Sequence, residues 1–237
     1  MTQLLAADSW LVADGRVRAL DRHWARFGAT CREHGVAPAA LAGLRAEVER
    51  ALPAAGRWFP RVELRADGEL AVRVRPAPTR EPTVVAWLAD VPDPRRSPRH
   101  KGPDLDRLAE LRERAAAHGA GEAMIGDVDG RLLEGAFTSL LWWEGETLWT
   151  APDDAPVLPG ITRALLIELA RERGTPVGQR RPVPRELAGR EAWLVSALHG
   201  IRAVTGWADG GPSAGDATRA ARWQGLLDRL AHPTSGG

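Results

Sequence analysis

Asp90-Val91-Pro92-Asp93-Pro94-Arg95-Arg96-Ser97-Pro98-Arg99-His100-Lys101-Gly102-Pro103 divides the chain. Its prolines and its lack of apolar periodicity are the marks of a connection, not of a helix or strand. The spacing therefore predicts a smaller domain over residues 1–92, a linker over 93–103 and a larger domain over 104–237. Lys101 stands at the linker's end, and 31 of the chain's 32 basic residues are arginine, so it is the sole lysine. Under such a drift a surface lysine exchanges readily for arginine, but a working amine does not. A guanidinium stays protonated at any working pH, whereas an ε-amine can lose its proton and attack a carbonyl. Composition alone leaves both readings of Lys101 open. A cleft between domains is a usual place for a cofactor.

Upstream, Asp14-Gly15 turns a hairpin over residues 9–19, and Asp21 opens a helix running to about His34. Trp24, Phe27 and Cys31 lie at helical spacing on its inner face, which leaves His23 and Arg26 on the surface. A second helix spans about Ala39–Leu52. A hairpin turned at Asp67-Gly68 spans Val62–Val74, and residues 83–88 read as a buried strand. Downstream, a helix over Asp104–His118 leads into strands at 123–127 and 131–133, joined through Asp129-Gly130, and at 138–143 and 147–149, joined through Glu144-Gly145. A helix over 162–173, strands at 192–196 and 202–207, and a helix over about 217–231 follow, with a disordered tail expected from about 233. Hairpins broken by single helices indicate an α+β chain with mostly antiparallel sheets.

A net charge of +1 with interspersed signs argues against nucleic acid as a partner. One cysteine, Cys31, allows no internal disulfide, and no apolar run is long enough to cross a membrane. These features predict a soluble cytoplasmic protein. No metal-ligand spacing, Gly-Lys-Ser/Thr phosphate loop or Gly-Xaa-Ser-Xaa-Gly elbow occurs, so metal, nucleotide-hydrolysis and hydrolase readings have no support. Tyrosine is absent, so no phenol takes part in any chemistry.

Four features carry possible chemistry, each with a plainer reading. Glu134 closes a strand, and a carboxylate buried there needs a cation or proton donor; its plainer reading is an edge glutamate in solvent. Leu158-Pro159-Gly160-Ile161-Thr162 offers free N–H groups and a hydroxyl at a helix start, a phosphate seat or an ordinary N-cap. Arg26 has the planar fork of a phosphate clamp but is one arginine among 31. Ser196-Ala197-Leu198-His199-Gly200 is a small-residue loop whose amides and hydroxyl suit a phosphate or carboxylate, while His199 alone reads as a packed histidine.

In order, His23-Trp24-Ala25-Arg26-Phe27, Lys101, Asp129-Gly130-Arg131-Leu132-Leu133-Glu134-Gly135, Trp149-Thr150-Ala151-Pro152, Leu158-Pro159-Gly160-Ile161-Thr162-Arg163 and Ser196-Ala197-Leu198-His199-Gly200-Ile201-Arg202-Ala203-Val204 resemble the class IV aminotransferases. These are the fold-type IV pyridoxal-phosphate (PLP) enzymes, which include branched-chain and D-amino-acid aminotransferases and aminodeoxychorismate lyase. The resemblance implies a two-domain α+β enzyme, a small α/β domain plus a larger domain on an antiparallel barrel-like sheet, assembled as a homodimer. By position it implies that Lys101 forms the Schiff base and moves the α-proton, and that Glu134 pairs with the pyridine nitrogen. Arg26, Ile161, Thr162, Ser196 and Ala197 would hold the cofactor, with Leu198 and His199 toward the substrate. The activity implied is amino-group transfer between an amino acid and a 2-oxo acid. A lyase releasing pyruvate and 4-aminobenzoate is the alternative, and an inactive binding relative a second one. By the same resemblance three departures are expected to bear on the substrate pocket: the family's first strand and glycine-rich turn read as missing, tyrosine is absent, and Leu140 stands where many members have asparagine.

Overall fold

The computed structural model describes residues 3–234, which gather into two compact units. The first takes the chain up to Thr79, His100–Pro103 and the chain from Asp228; the second takes Arg80–Arg99 and Asp104–Leu227. This partition differs from the consecutive one expected. The strand before the proline-rich stretch joins the second unit, the stretch itself is divided, and the C-terminal end returns to the first.

The first unit contains β1 (Leu4–Ser9), β2 (Val12–Ala13), β3 (Arg16–Arg18), α1 (Leu20–Glu33), α2 (Pro38–Ala51), β4 (Arg57–Trp58), β5 (Arg61–Arg65) and β6 (Leu70–Arg73). β1, β5 and β6 form an antiparallel sheet, with Asp8 opposite Val62 and Leu64 opposite Leu70. The expectation that the family's first strand is missing meets an opening strand, β1, although Leu4-Leu5-Ala6-Ala7 shows neither alternation nor β-branched residues. β1 is held instead by its ladder to β5. The inner faces of α1 and α2 bury Phe27, Cys31, Leu44 and Val48 against Trp10, Val62 and Leu64. Ala19, in the left-handed conformation at φ 49°, turns the chain from β3 into α1, so Asp21 falls in the first turn and is not the N-cap.

The second unit contains β7 (Thr83–Leu88), α3 (Leu105–Ala117), β8 (Glu122–Gly126), β9 (Leu132–Gly135), β10 (Ser139–Glu144), β11 (Thr147–Thr150), α4 (Ile161–Glu172), β12 (Val177–Gln179), β13 (Ala192–Ser196), β14 (Gly200–Trp207) and α5 (Ala220–Asp228). Its eight-stranded sheet runs β12-β11-β10-β13-β14-β7-β8-β9. It is mixed: β11–β12 and β7–β8 are parallel through the α4 and α3 crossovers, and β14–β7, also parallel, brings together strands far apart in the chain. β9 lies at one edge while β10 lies third from the other, yet only a tight turn joins them, closed by the Gly135 N–H on the Thr138 carbonyl at 2.8 Å. The sheet curls to satisfy that turn. Both faces are covered: Ala123 and Ile125 of β8 pack with Leu108 and Leu111 of α3, while Met124 packs with Leu140, Trp142 and Leu194.

The chain before the tail expected from about 233 is paired. Residues Ala231–Pro233 form β15, antiparallel to β3, and the Thr234 N–H continues the pairing onto the Gly15 carbonyl at 2.8 Å. The helix expected to run to about 231 therefore stops at Asp228. The rest of the expected tail, residues 235–237, lies outside the described residues.

Candidate active site

In the first unit the side chains of Arg26 and His23 gather on Asp8, in the middle of β1. The carboxylate has no exposed surface and accepts from Arg26 Nε at 2.9 Å, from Arg26 Nη2 at 2.9 Å and from the Ser9 N–H at 2.7 Å. His23 Nδ1 lies 2.9 Å from Asp8 Oδ1. The surface placement expected for His23 and Arg26 is therefore wrong: His23 is buried and Arg26 largely so. Helical spacing correctly made them neighbours, but it carried no sign of a buried carboxylate to receive them. Burial alone pushes the Asp8 carboxyl up; Arg26 foremost, then His23 and Lys101, outweigh it and bring the pKa down to about 2. Burial lowers the His23 pKa despite Asp8, so the ring is neutral at pH 7. An ionised Asp8 only accepts, so His23 carries its proton on Nδ1 and donates it.

Lys101 belongs to this unit and lies within electrostatic range of Asp8 and His23. Its carbonyl accepts the Ala7 N–H at 2.7 Å, which docks the lysine segment on β1. Gly102 makes this approach possible. At φ 142° it adopts a backbone that L side chains avoid, and an added Cβ would lie 2.7 Å from Ala6 Cα. A group that sequence reading missed is Arg75. Its Nε is buried without a hydrogen-bond partner among the described residues. Burial first, then Arg61 and Arg73, lower its pKa. Glu63, paired with Arg61, is the anion among these guanidinium groups, and Arg75 lies over the Phe59 ring; the alternation Arg73-Val74-Arg75 was the available signal.

In the second unit Glu134 is buried at the end of β9. Two donors reach the same oxygen, Oε1: Arg95 Nη1, and the Leu158 N–H at 2.8 Å. Burial raises the Glu134 pKa, and Arg95 opposes it. Leu158 starts the approach to α4, whose N-cap is Gly160, and no side chain caps that helix. Gly160 has to be small, since an added Cβ would meet Ser139 Oγ at 2.4 Å. The loop backbone is thereby pressed onto the start of β10, beside β13, where Ser139 pairs with Val195. Glu134, the Ile161–Thr162 helix start and the β13–β14 turn at 196–199 are thus linked within one unit. Arg163, the last residue of the Gly160-Ile161-Thr162-Arg163 run, braces the loop: its Nε donates to Thr150 Oγ1 at 2.8 Å and its Nη2 to Asp153 Oδ1 at 3.0 Å.

The turn itself is built by its own side chains. Ser196 Oγ accepts the His199 N–H at 3.2 Å, and His199 Nδ1 accepts the Glu81 N–H at 3.1 Å. Burial first, then Arg202, bring the His199 pKa down to about 4. The ring is neutral at pH 7, with its proton on Nε2. Ala197 and Leu198 lie half-buried between these two residues. Among the described residues, no group of three or more His, Cys, Asp or Glu side chains is placed to hold a metal ion.

A family model described as amino-transferase class IV matches residues 5–207. The branched-chain-amino-acid aminotransferase of Escherichia coli (strain K12) is 39% identical over 66 residues, 28% of this chain and 21% of that protein. The match thus spans about a fifth of that curated relative's length. Among solved structures, one from Legionella pneumophila assigned as a 4-amino-4-deoxychorismate lyase superposes with a TM-score of 0.79 at 17% identity, over 95% of this chain and 90% of its own. An aminotransferase from Brucella abortus bound to PLP superposes with a TM-score of 0.81 at 19% identity, over 96% of this chain and 89% of its own.

Proposed function

The chain belongs to the class IV aminotransferase family, and from that premise we propose that it is a PLP-dependent enzyme moving an amino group between an amino acid and a 2-oxo acid. The observation that carries the reading is Glu134. It is a buried carboxylate held through one oxygen by Arg95 and a backbone N–H, on the loop that opens an uncapped helix start. This donor set suits a cofactor with a ring nitrogen at one end and a phosphate at the other. When bound, PLP supplies an aldehyde that condenses with a primary amine and a ring that accepts the electron pair released at the substrate α-carbon.

The chain's own residues take the following parts. Lys101 Nζ would be the amine that holds the cofactor and, as a base, would take the proton from the substrate α-carbon and deliver it to the cofactor carbon, as transfer of the amino group requires. Glu134 Oε2 would accept the ring N–H, Oε1 being already engaged. The amides of Ile161 and Thr162, the Thr162 hydroxyl, Arg26, Ser196 and Ala197 hold the phosphate, with the α4 dipole favouring negative charge there. Asp8 fixes the Arg26 fork through Nε and Nη2. Leu198 and the neutral Nε2–H of His199 face the substrate, and Arg75 suits a carboxylate of an amino or oxo acid. A homodimer in the cytoplasm completes the proposal. It rests on the resemblance and on a single, buried cysteine; among the described residues no helix is long and apolar enough to cross a membrane.

Two measurements test the proposal. Purified protein mixed with PLP should show the visible absorption of lysine-bound cofactor, and an amino acid should convert it to the amine form. Pyruvate released from aminodeoxychorismate without that conversion would favour the lyase reading. Replacement of Lys101 by alanine should abolish the visible band and turnover, and retained turnover would remove Lys101 from the mechanism.

A further inference from the structure

We propose that Arg95 is a positioning residue that fixes Glu134 for recognition of the cofactor's ring nitrogen. The inference rests on the PLP reading above. Arg95 is a linker residue by sequence, with nothing to separate it from its neighbour Arg96. In the structure its side chain is 4% exposed, and all three guanidinium nitrogens are engaged. Nε and Nη2 donate to the two oxygens of Asp93 at 2.8 and 2.9 Å, Nη2 also reaches the Pro156 carbonyl at 3.1 Å, and Nη1 donates to Glu134 Oε1. The Arg95 N–H returns to Asp93 Oδ1 at 3.0 Å, so a clamp two residues long holds the guanidinium plane.

This arrangement does two things to Glu134. A buried carboxylate without a cation takes up a proton, and a protonated Glu134 loses the charge that attracts a ring N–H. Arg95, a cation at any working pH, opposes that uptake and favours the form of Glu134 that accepts. It also fixes direction, because Arg95 and the Leu158 N–H both bind Oε1, which would leave Oε2 to accept from the ring. The bond to Pro156 ties the same guanidinium to the loop carrying Leu158, so loss of Arg95 loosens both donors. Asp93, Arg95 and the Leu158 N–H are the groups that act on the charge of Glu134.

The test compares PLP with 1-deazapyridoxal phosphate, in which C–H replaces the ring nitrogen, by equilibrium binding to the full chain. In Arg95→Gln the preference for PLP over the carbon analogue should fall about tenfold, while the analogue's own affinity changes by less than about twofold. Arg95→Lys should recover part of that preference, since it restores the cation without the fork. In a Glu134→Gln background, Arg95→Gln should leave the preference unchanged. Equal weakening of both ligands, or an additive effect in the double variant, overturns the inference and makes Arg95 a brace of the fold alone. If Arg95→Gln does not fold, Arg95→Lys and Asp93→Asn carry the same comparison with the same two outcomes. A wild-type protein that binds neither ligand refutes the cofactor reading, and the inference falls with it. Wild-type binding without the loss of preference refutes the inference alone.

Discussion

Asp8 shows how one unexposed carboxylate organises the side chains around it. Without a charge on Asp8, the Arg26 fork and the His23 ring lose their common acceptor. Its folded pKa of about 2 lies below the ordinary 3.8. Its stabilising contribution is therefore fully present above about pH 4 and is lost as the pH falls toward 2, an effect of about 2 kcal/mol. Urea denaturation at pH 5 and pH 2.5 should show this acid loss in wild type and a smaller one in Asp8→Asn. Asp8→Asn should itself destabilise the protein at pH 7 by about 3 kcal/mol, because Arg26 is left without its anion. Equal acid sensitivity in both proteins would show that Asp8 is not the group titrating. His199 has a different signature. Its pKa of about 4 lies below the ordinary 6.5, so any stability linked to it is present above 6.5 and lost as the pH falls toward 4. Its ring resonances in NMR should stay constant from pH 8 to about 5.5 and move only in more acidic solution. Movement centred near pH 6.5 would mean the Glu81 N–H bond to Nδ1 is not kept in solution. The types of these residues were readable in advance, but their partners were not. Asp8 and Arg26 meet across 18 positions, and no local spacing joins a strand residue to a helix residue at that distance.

The entry into α4 depends on a close approach between two elements. Gly160 has ordinary helix-entry dihedrals, at φ −70°, so its requirement is space and not backbone freedom. Gly160→Ala places a methyl against Ser139 Oγ and should cost about 1–3 kcal/mol, with weaker retention of PLP. Adding Ser139→Ala removes the obstructing oxygen and should recover most of both losses, as read by thermal denaturation and dialysis. Independent losses in the double variant would mean that the loop is held in some other way. The Leu158–Thr162 run already marks a helix start in sequence, because proline, glycine and an apolar periodic segment follow one another. It does not say which strand the loop touches, since that contact arises when β10 and β13 pair and the loop is pressed onto them. The curl of the sheet has the same origin: a short link between β9 and β10 is visible in sequence, whereas their distant places in the strand order are not.

At the scale of the whole molecule, cofactor binding should couple to stability. PLP at about 100 times its dissociation constant would add about 2.7 kcal/mol, a rise of about 5–10 °C in Tm for a chain of this size. Calorimetry should show that rise in wild type and much less of it in Lys101→Ala. An equal rise in both would place the stabilising site away from Lys101. Sequence by itself determined the α+β class, the helices over most of their lengths, the glycine turns at Gly15, Gly68, Gly130 and Gly145, and the residue types of the candidate site. These are short-range properties, set by periodicity, turn chemistry and the difference between an amine and a guanidinium. Only the tertiary structure decided the mixed strand order, the return of residues 231–233 to β3, the burial of His23 and Arg26 around Asp8, and the clamp of Arg95 on Glu134. Each is a pairing between distant segments, selected by which backbone edges and buried charges are left to satisfy once the local elements have formed, and one chain read alone carries no direct mark of them.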